Sequence, residues 1–258
     1  MPVPLHGEKY DSEPVRSAGR EAAYARERGP ETADGPRSVV VCFEDTPLEN
    51  LVETYAGREL PSAFDDGGLY RLEDTDGRVG VVGGFGIGAP ATAMVVESLA
   101  GRGVESFVLR GYAGVLDADV DSTDTLVATE ALRDEGASYH YRPAARTATP
   151  PGDLTDDLVE RLDHAGETVR TGPTWTTDAP FRETRAEVER YAAEGVLTVE
   201  MEAAAAFVVA ADCEAEATAA FVPSDYLGSD SRAPGFHDIE ESLLALADRL
   251  VAALAARE

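Results

Sequence analysis

Short apolar runs alternate with segments of helical periodicity along most of this sequence, and that alternation limits the fold more than any other feature. The run SVVVCF at residues 38–43 is apolar throughout, as expected for a strand covered on both faces. At the end of the chain, leucines spaced three or four residues apart predict a long amphipathic helix. Strands that alternate with helices predict an α/β fold, in which helices flank a central mixed, largely parallel sheet.

The same patterns predict the individual elements. Strands are expected at residues 38–43, 79–82, 106–110, 125–129, 168–171 and 217–222, and helices at 46–56, 90–102, 154–162, 182–193, 201–211 and 239–254. Residues 1–37 are polar and only weakly periodic, which is typical of an extended arm. Because the 258 residues contain neither an internal repeat nor a Gly/Ser linker, residues 1–258 are predicted to form a single domain.

The charge of the chain is unusual and excludes some classes of partner. There are 49 acidic and 22 basic residues, a formal net charge of -27, which resembles the composition of cytoplasmic proteins from salt-loving microbes. A nucleic-acid-binding protein needs a basic face, so no nucleic-acid partner is expected. No apolar run approaches the roughly 20 residues of a membrane span, and the first residues contain no signal-peptide core. We therefore expect a cytoplasmic protein with no membrane partner.

The cysteines and histidines give no sign of a metal. Cys42 and Cys213 lie far apart in the sequence, and the four histidines form no local cluster. The prediction is no metal site and no bound cofactor.

A glycine-rich segment, VVGGFGIGAPAT at residues 81–92, follows a predicted strand and leads into a helix. Such a loop could hold a dinucleotide, a phosphate or another part of the protein. Gly84, Gly86 and Ala89 fit the dinucleotide pattern G-x-G-x-x-G/A. The loop does not follow the first strand, however, and the next strand ends in Arg110 rather than in an acid that could bind a ribose. A dinucleotide site is therefore disfavoured.

Several segments together resemble the nucleoside phosphorylase family, which includes purine nucleoside phosphorylases, uridine phosphorylases and related nucleosidases. GFGIGAPATAMVVESLAGRGVESFVLRGYAG at residues 84–114 is similar to the family's GIGxPS loop, helix and strand ending in G-[ST]-x-G. VEMEAAAAF at 199–207 resembles its ribose motif, and VPSDYL at 222–227 its Ser-Asp motif. His6 resembles the N-terminal histidine that members lend to a neighbouring subunit.

The resemblance implies a fold, a reaction and partners. The fold would be a single α/β domain with a mixed, partly barrel-like sheet. The reaction would be the reversible phosphorolysis of a purine nucleoside or uridine to the free base and ribose 1-phosphate, with inorganic phosphate as co-substrate. The resemblance also implies a homo-oligomer built from dimers, possibly a hexamer, in which the N-terminal arm contacts a neighbouring subunit.

It also implies residue roles. Glu200, Met201, Glu202 and His6 would bind the ribose, with Glu202 catalytic because a carboxylate stabilises the positive charge that develops on the sugar. Taken alone, the two acids could simply precede a helix N-terminus. Asp225 would bind the departing base and help to protonate it, although an isolated Ser-Asp pair also suits a turn.

The base would also contact Trp175 and Arg182. Trp175 could stack on it, but core packing explains a lone tryptophan equally well. Arg182 could read base carbonyls or be a surface charge.

The phosphate site departs from the family pattern. Gly86, Gly88, Arg110 and Tyr112 are the candidates for binding phosphate, yet Arg110 is displaced by one position from the family's arginine. Glu44 and Asp45 stand where the family has a G-D-P-x-R loop. Two alternatives therefore remain open beside phosphorolysis. One is hydrolysis of the same bond, with Glu44 or Asp45 as the base; the other is a nucleoside-binding relative without activity.

Overall fold

A computed structural model describes residues 8–28, 35–61, 68–228 and 236–257. His6 lies outside the described residues. Within them the strands are β1 (Ser38–Cys42), β2 (Gly57–Leu60), β3 (Gly68–Leu72), β4 (Val79–Gly83), β5 (Ser106–Val115), β6 (Thr125–Asp134), β7 (Thr147–Ala148), β8 (Val169–Thr177), β9 (Thr198–Glu200) and β10 (Glu216–Tyr226). The α-helices are α1 (Ala18–Arg28), α2 (Asp45–Thr54), α3 (Ala89–Ala100), α4 (Leu154–His164), α5 (Arg185–Ala193), α6 (Ala203–Asp212) and α7 (Phe236–Ala255).

The sheet is mixed and partly closed on itself, as predicted. β5 pairs with β1 and β10 in parallel and with β9 in antiparallel fashion. The order β10-β6-β8-β9-β5, together with the pairing of β10 to β5, closes a ring. β1, β4, β3 and β2 continue the sheet outward from β5. β5 is thus shared between the ring and the open wing.

Helices cover both faces of this sheet, and the α/β prediction is confirmed. On one face the apolar side chains of α3 and α6, including Val96 and Phe207, are buried against the strands. On the other face α2, α4 and α7 are buried through leucines such as Leu51, Leu158 and Leu250. Among the described helices, none is both long and apolar enough to cross a membrane.

Several predicted boundaries are wrong, and β8 shows why. The expected strand at residues 168–171 runs on to Thr177, through Gly172 and Pro173. Proline cannot donate to a sheet and is usually confined to edges or bulges. Here Pro173 lies opposite a register shift between Ala128 and Glu130 of β6, so a bulge accommodates it.

The predicted N-terminal arm contains a helix. α1 contacts α3, with Ala22 buried. The close approach depends on Gly101, because a Cβ there would come within 2.7 Å of the backbone carbon of Ala18. The sequence indicated Gly101 only as the end of a helix.

Candidate active site

One cleft of about 390 Å³ opens where β5, β9 and β10 meet the loop that follows β1. Apolar and acidic side chains line it, and among its described lining residues none is basic. The acidic ones are Glu44, Glu183, Glu200, Glu202 and Asp225. A second hollow, of about 470 Å³, lies beside the Arg249–Glu167 ion pair and contains none of the predicted site residues. The smaller cleft is therefore the candidate active site.

Glu202 lies on the wall of this cleft and is held by the glycine loop. Its Oε1 accepts a hydrogen bond from the Gly88 amide at 2.6 Å, and its Oε2 accepts one from the Met201 amide at 3.2 Å. Gly86 and Gly88 have φ of 93° and 92°, values that glycine adopts without strain. The loop thus holds another part of the protein: the Gly88 amide assigned to phosphate binds a carboxylate of the chain itself.

Glu200 is occupied by internal contacts. Its carboxylate accepts hydrogen bonds from the amides of Glu202 and Ala203, both at 2.7 Å, and from the hydroxyls of Thr174 and Thr176. These contacts fix the beginning of α6. Glu200 reaches the cleft wall, but its polar contacts indicate an anchoring role rather than the predicted ribose contact.

Glu200 and Glu202 also influence each other's ionisation. Burial, and then the negative charge of Glu200, raise the pKa of Glu202 to about 8. Burial likewise raises the pKa of Glu200, against the hydrogen bonds that it accepts. Like charges in a buried site disfavour ionisation of both groups. The pair therefore holds a proton more tightly than exposed glutamates do.

Tyr112 lines the cleft together with three acidic residues, Glu44, Glu202 and Asp225. Burial, followed by the charges of Glu44, Glu202 and Asp225, raises the pKa of its hydroxyl, so it remains a neutral donor. Asp225 is exposed to the cleft, and its Oδ1 accepts a hydrogen bond from the Ser224 hydroxyl at 2.8 Å. The structure brings Tyr112 and Asp225 together with the adjacent pair Met201 and Glu202, although these come from three separate parts of the sequence.

Arg110 is completely buried beneath the cleft and already has an anionic partner. Its side chain is 0% exposed, forms an ion pair with Glu44, and donates a hydrogen bond to the Leu243 carbonyl at 3.4 Å. Glu44 lines the cleft. A phosphate would reach this guanidinium only after the Glu44 carboxylate had moved. In this structure Arg110 and Gly88 both bind carboxylates of the chain itself, and Gly86 lies outside the described cleft lining, so their assignment to phosphate stays a prediction.

Trp175 and Arg182 also lie outside the described lining of the cleft. Trp175 is 1% exposed, lies edge-on to Tyr191 with ring centroids 4.9 Å apart, and donates from Nε1 to Asp134 Oδ2 at 3.0 Å. Core packing therefore accounts for Trp175, and its assignment to base stacking is wrong. Arg182 is exposed.

The sequence analysis missed the aromatic side chain that lies at the cleft mouth. Phe181 is 99% exposed and lines the cleft, next to Pro180 and Glu183. An exposed phenylalanine in a charged segment is a usable signal, because such an aromatic commonly marks a binding surface.

Comparison with known proteins decides the family. A sequence model of the phosphorylase superfamily matches residues 37–257, which is most of the chain. The chain belongs to the phosphorylase superfamily.

Individual relatives agree with this family at moderate identity. A guanosine phosphorylase of Halorubrum lacusprofundi is 37% identical over 48% of this chain and 52% of its own length. A uridine phosphorylase of Escherichia coli is 31% identical over 51% of this chain and 57% of its own. A DeoD-type purine nucleoside phosphorylase of Bacillus cereus is 29% identical over 57% of this chain and 63% of its own. This superfamily member thus matches only about half the length of the first two relatives.

Proposed function

We propose that this chain is a nucleoside phosphorylase that cleaves the C1′–N bond of a purine nucleoside or uridine in the described cleft and transfers the ribose to inorganic phosphate. The observation that carries the proposal is the buried Glu202 carboxylate, fixed beside Met201 by the Gly88 amide. A carboxylate has about four acceptor positions, and the two amides use two of them. The rest can bind ribose hydroxyls.

Fixed charge in this position suits the chemistry. As the glycosidic bond breaks, positive charge develops on the sugar, and Glu202, which is ionised above its pKa of about 8, attracts that charge more strongly than it attracts the neutral ground state. Asp225, which also lines the cleft, assists departure of the base by hydrogen bonding or proton transfer. The similarity to a guanosine phosphorylase, a uridine phosphorylase and a purine nucleoside phosphorylase supports the same reaction.

Hydrolysis is the second candidate, because the ion pair of Glu44 with Arg110 fills the place where an anion would bind. A phosphate next to Glu44 would be repelled by about 4 kcal/mol for each pair of unit charges at 4 Å and an effective dielectric constant near 20. Water meets no such barrier, and Glu44 could act as its base.

The nucleophile is tested by incubating the purified protein with guanosine, inosine, uridine and methylthioadenosine at high salt, with and without phosphate. We expect ribose 1-phosphate that forms only when phosphate is present. Free ribose formed without phosphate would establish the hydrolase instead. Binding without any product would identify a non-catalytic relative.

We further propose that the chain works as a homo-oligomer built from dimers. The side chains of Ile87, on the cleft wall, and Met94, on α3, are apolar and exposed, and a neighbouring subunit would cover them. In this proposal His6 of one chain completes the ribose site of another. Light scattering at high salt should give at least a dimer mass, and a fully active monomer would contradict the role of His6.

A further inference from the structure

One carboxylate in the cleft is not used by the fold or by the proposed chemistry. Glu183 lines the cleft and is partly buried, yet among the described residues it accepts no hydrogen bond and forms no ion pair. The charges of Asp225, also on the cleft, and of Glu187 act on it. Burial, followed by these charges, raises the pKa of Glu183.

The backbone on both sides holds Glu183 in place. It ends the 3₁₀ turn Pro180–Arg182 and comes directly before Thr184, the N-cap of α5. Thr184 accepts from the Glu187 amide at 3.3 Å, and Glu187 accepts from the Thr184 amide at 3.0 Å, a complete capping box. Since Glu187 supplies the cap, the Glu183 side chain is left to face the cleft.

The polar groups around Glu183 are mainly acceptors. Asp225 offers carboxylate oxygens, Tyr112 and Ser224 offer hydroxyls, and Phe181 adds an exposed aromatic face on which a planar ring can stack. An acceptor-rich wall favours a base edge made of N–H donors and disfavours carbonyl oxygens.

The common bases differ in this respect. Guanine presents N1–H and the 2-amino group side by side, as two parallel donors that one carboxylate can accept together. Hypoxanthine lacks the amino group, and uracil places its single N–H between two carbonyl oxygens. Only guanine offers the paired donors.

We infer that Glu183 is a specificity-determining residue that accepts the N1–H and 2-amino groups of guanine, so that the cleft prefers guanine nucleosides. The inference rests on the proposed function only in taking this cleft as the nucleoside site. A base that makes such a hydrogen bond to a charged acceptor should bind about 10- to 100-fold more tightly than one that lacks it.

Guanosine and inosine test this directly, because they differ only in the 2-amino group. Calorimetry should show that the wild type binds guanosine at least about 10-fold more tightly than inosine. Glu183→Gln should bring that ratio close to one, while Glu189→Gln, an exposed change on α5, should leave it unaltered. Circular dichroism melts check that each variant is folded.

Measuring turnover in the same samples separates this inference from the proposed function. A guanosine preference that disappears in Glu183→Gln supports the inference even if no product forms, in which case the proposed catalysis fails alone. Equal binding of the two nucleosides by the wild type, or a preference kept by the variant, overturns the inference. Absence of nucleoside binding by the wild type overturns both.

Discussion

Glu202→Gln is expected to lower kcat by about 10²- to 10³-fold above pH 8, where the carboxylate is ionised, while the chain remains folded. The amide has nearly the shape of the carboxylate and can still accept from Gly88, but it has no charge to stabilise a cationic sugar. The effect is large because the carboxylate is already oriented by two amides in a buried place, so no reorganisation precedes the reaction. Steady-state kinetics with saturating nucleoside measures it, and Glu189→Gln on exposed α5 serves as the matched control.

The pH dependence of stability checks that the same variant removes the intended charge. Because the pKa of Glu202 is raised from 4.5 to about 8, the native state keeps a proton in this window that the unfolded state has lost. This glutamate therefore makes the free energy of unfolding fall as pH rises, by up to about 1.4 kcal/mol per pH unit between roughly pH 5 and 8.

Glu202→Gln should show a correspondingly flatter slope in denaturant titrations at constant salt. Equal slopes together with near-normal kcat would contradict both the buried charge and its assigned role.

Glu44→Ala is expected to destabilise the protein by about 3–5 kcal/mol in a buffer whose only anion is too bulky to enter the site. The substitution leaves the guanidinium of Arg110 fully buried with no counter-ion among the described residues. Phosphate small enough to enter the vacated space should restore part of the loss, by about 2.7 kcal/mol at 100 times its dissociation constant. Thermal melts at constant ionic strength measure both effects.

Kinetics of the same variant then distinguish the nucleophiles. If phosphate is the co-substrate, removal of Glu44 should lower the KM for phosphate, because the competing carboxylate is gone. If water is the nucleophile, phosphate-independent cleavage should disappear. Glu49→Ala, an exposed change on α2, controls for the loss of an acidic residue. A Glu44→Ala protein as stable as the wild type would show that the ion pair does not hold Arg110 in place.

Much of the fold could be predicted because hydrophobic pattern determines it locally. Val39, Val40 and Val41 are all fully buried, as a continuous apolar run predicts, and the leucine stripe of α7 packs on the sheet. α1 and β9 escaped prediction for physical reasons. The apolar residues of α1 are four alanines and one tyrosine, which give a weak pattern, and β9 is only three residues long, Thr198–Glu200, which is too short to show a period.

The residues of the site were found by motif, but their partners were not. The segment 199–207 contributes Glu200, Met201 and Glu202 to the cleft, and acids that precede a helix could be read from the sequence, whereas nothing in the sequence indicated that Thr174 and Thr176 would bind Glu200 or that Glu44 would neutralise Arg110. Those contacts join residues distant in sequence, and propensity or periodicity carries no information about them. Trp175 and Phe181 show the same limit, since exposure decides their roles.

The hydrogen bond between Gly88 and Glu202 joins positions 114 residues apart. Neither the part of the chain around Gly88 nor the part around Glu202 can form the cleft alone. A fragment that ends before Glu202 would contain the glycine loop without the carboxylate that it binds. A fragment that begins after Gly88 would contain Glu202 without the amide that orients it. A ligand that needs both groups would therefore find them together only after the two portions have docked.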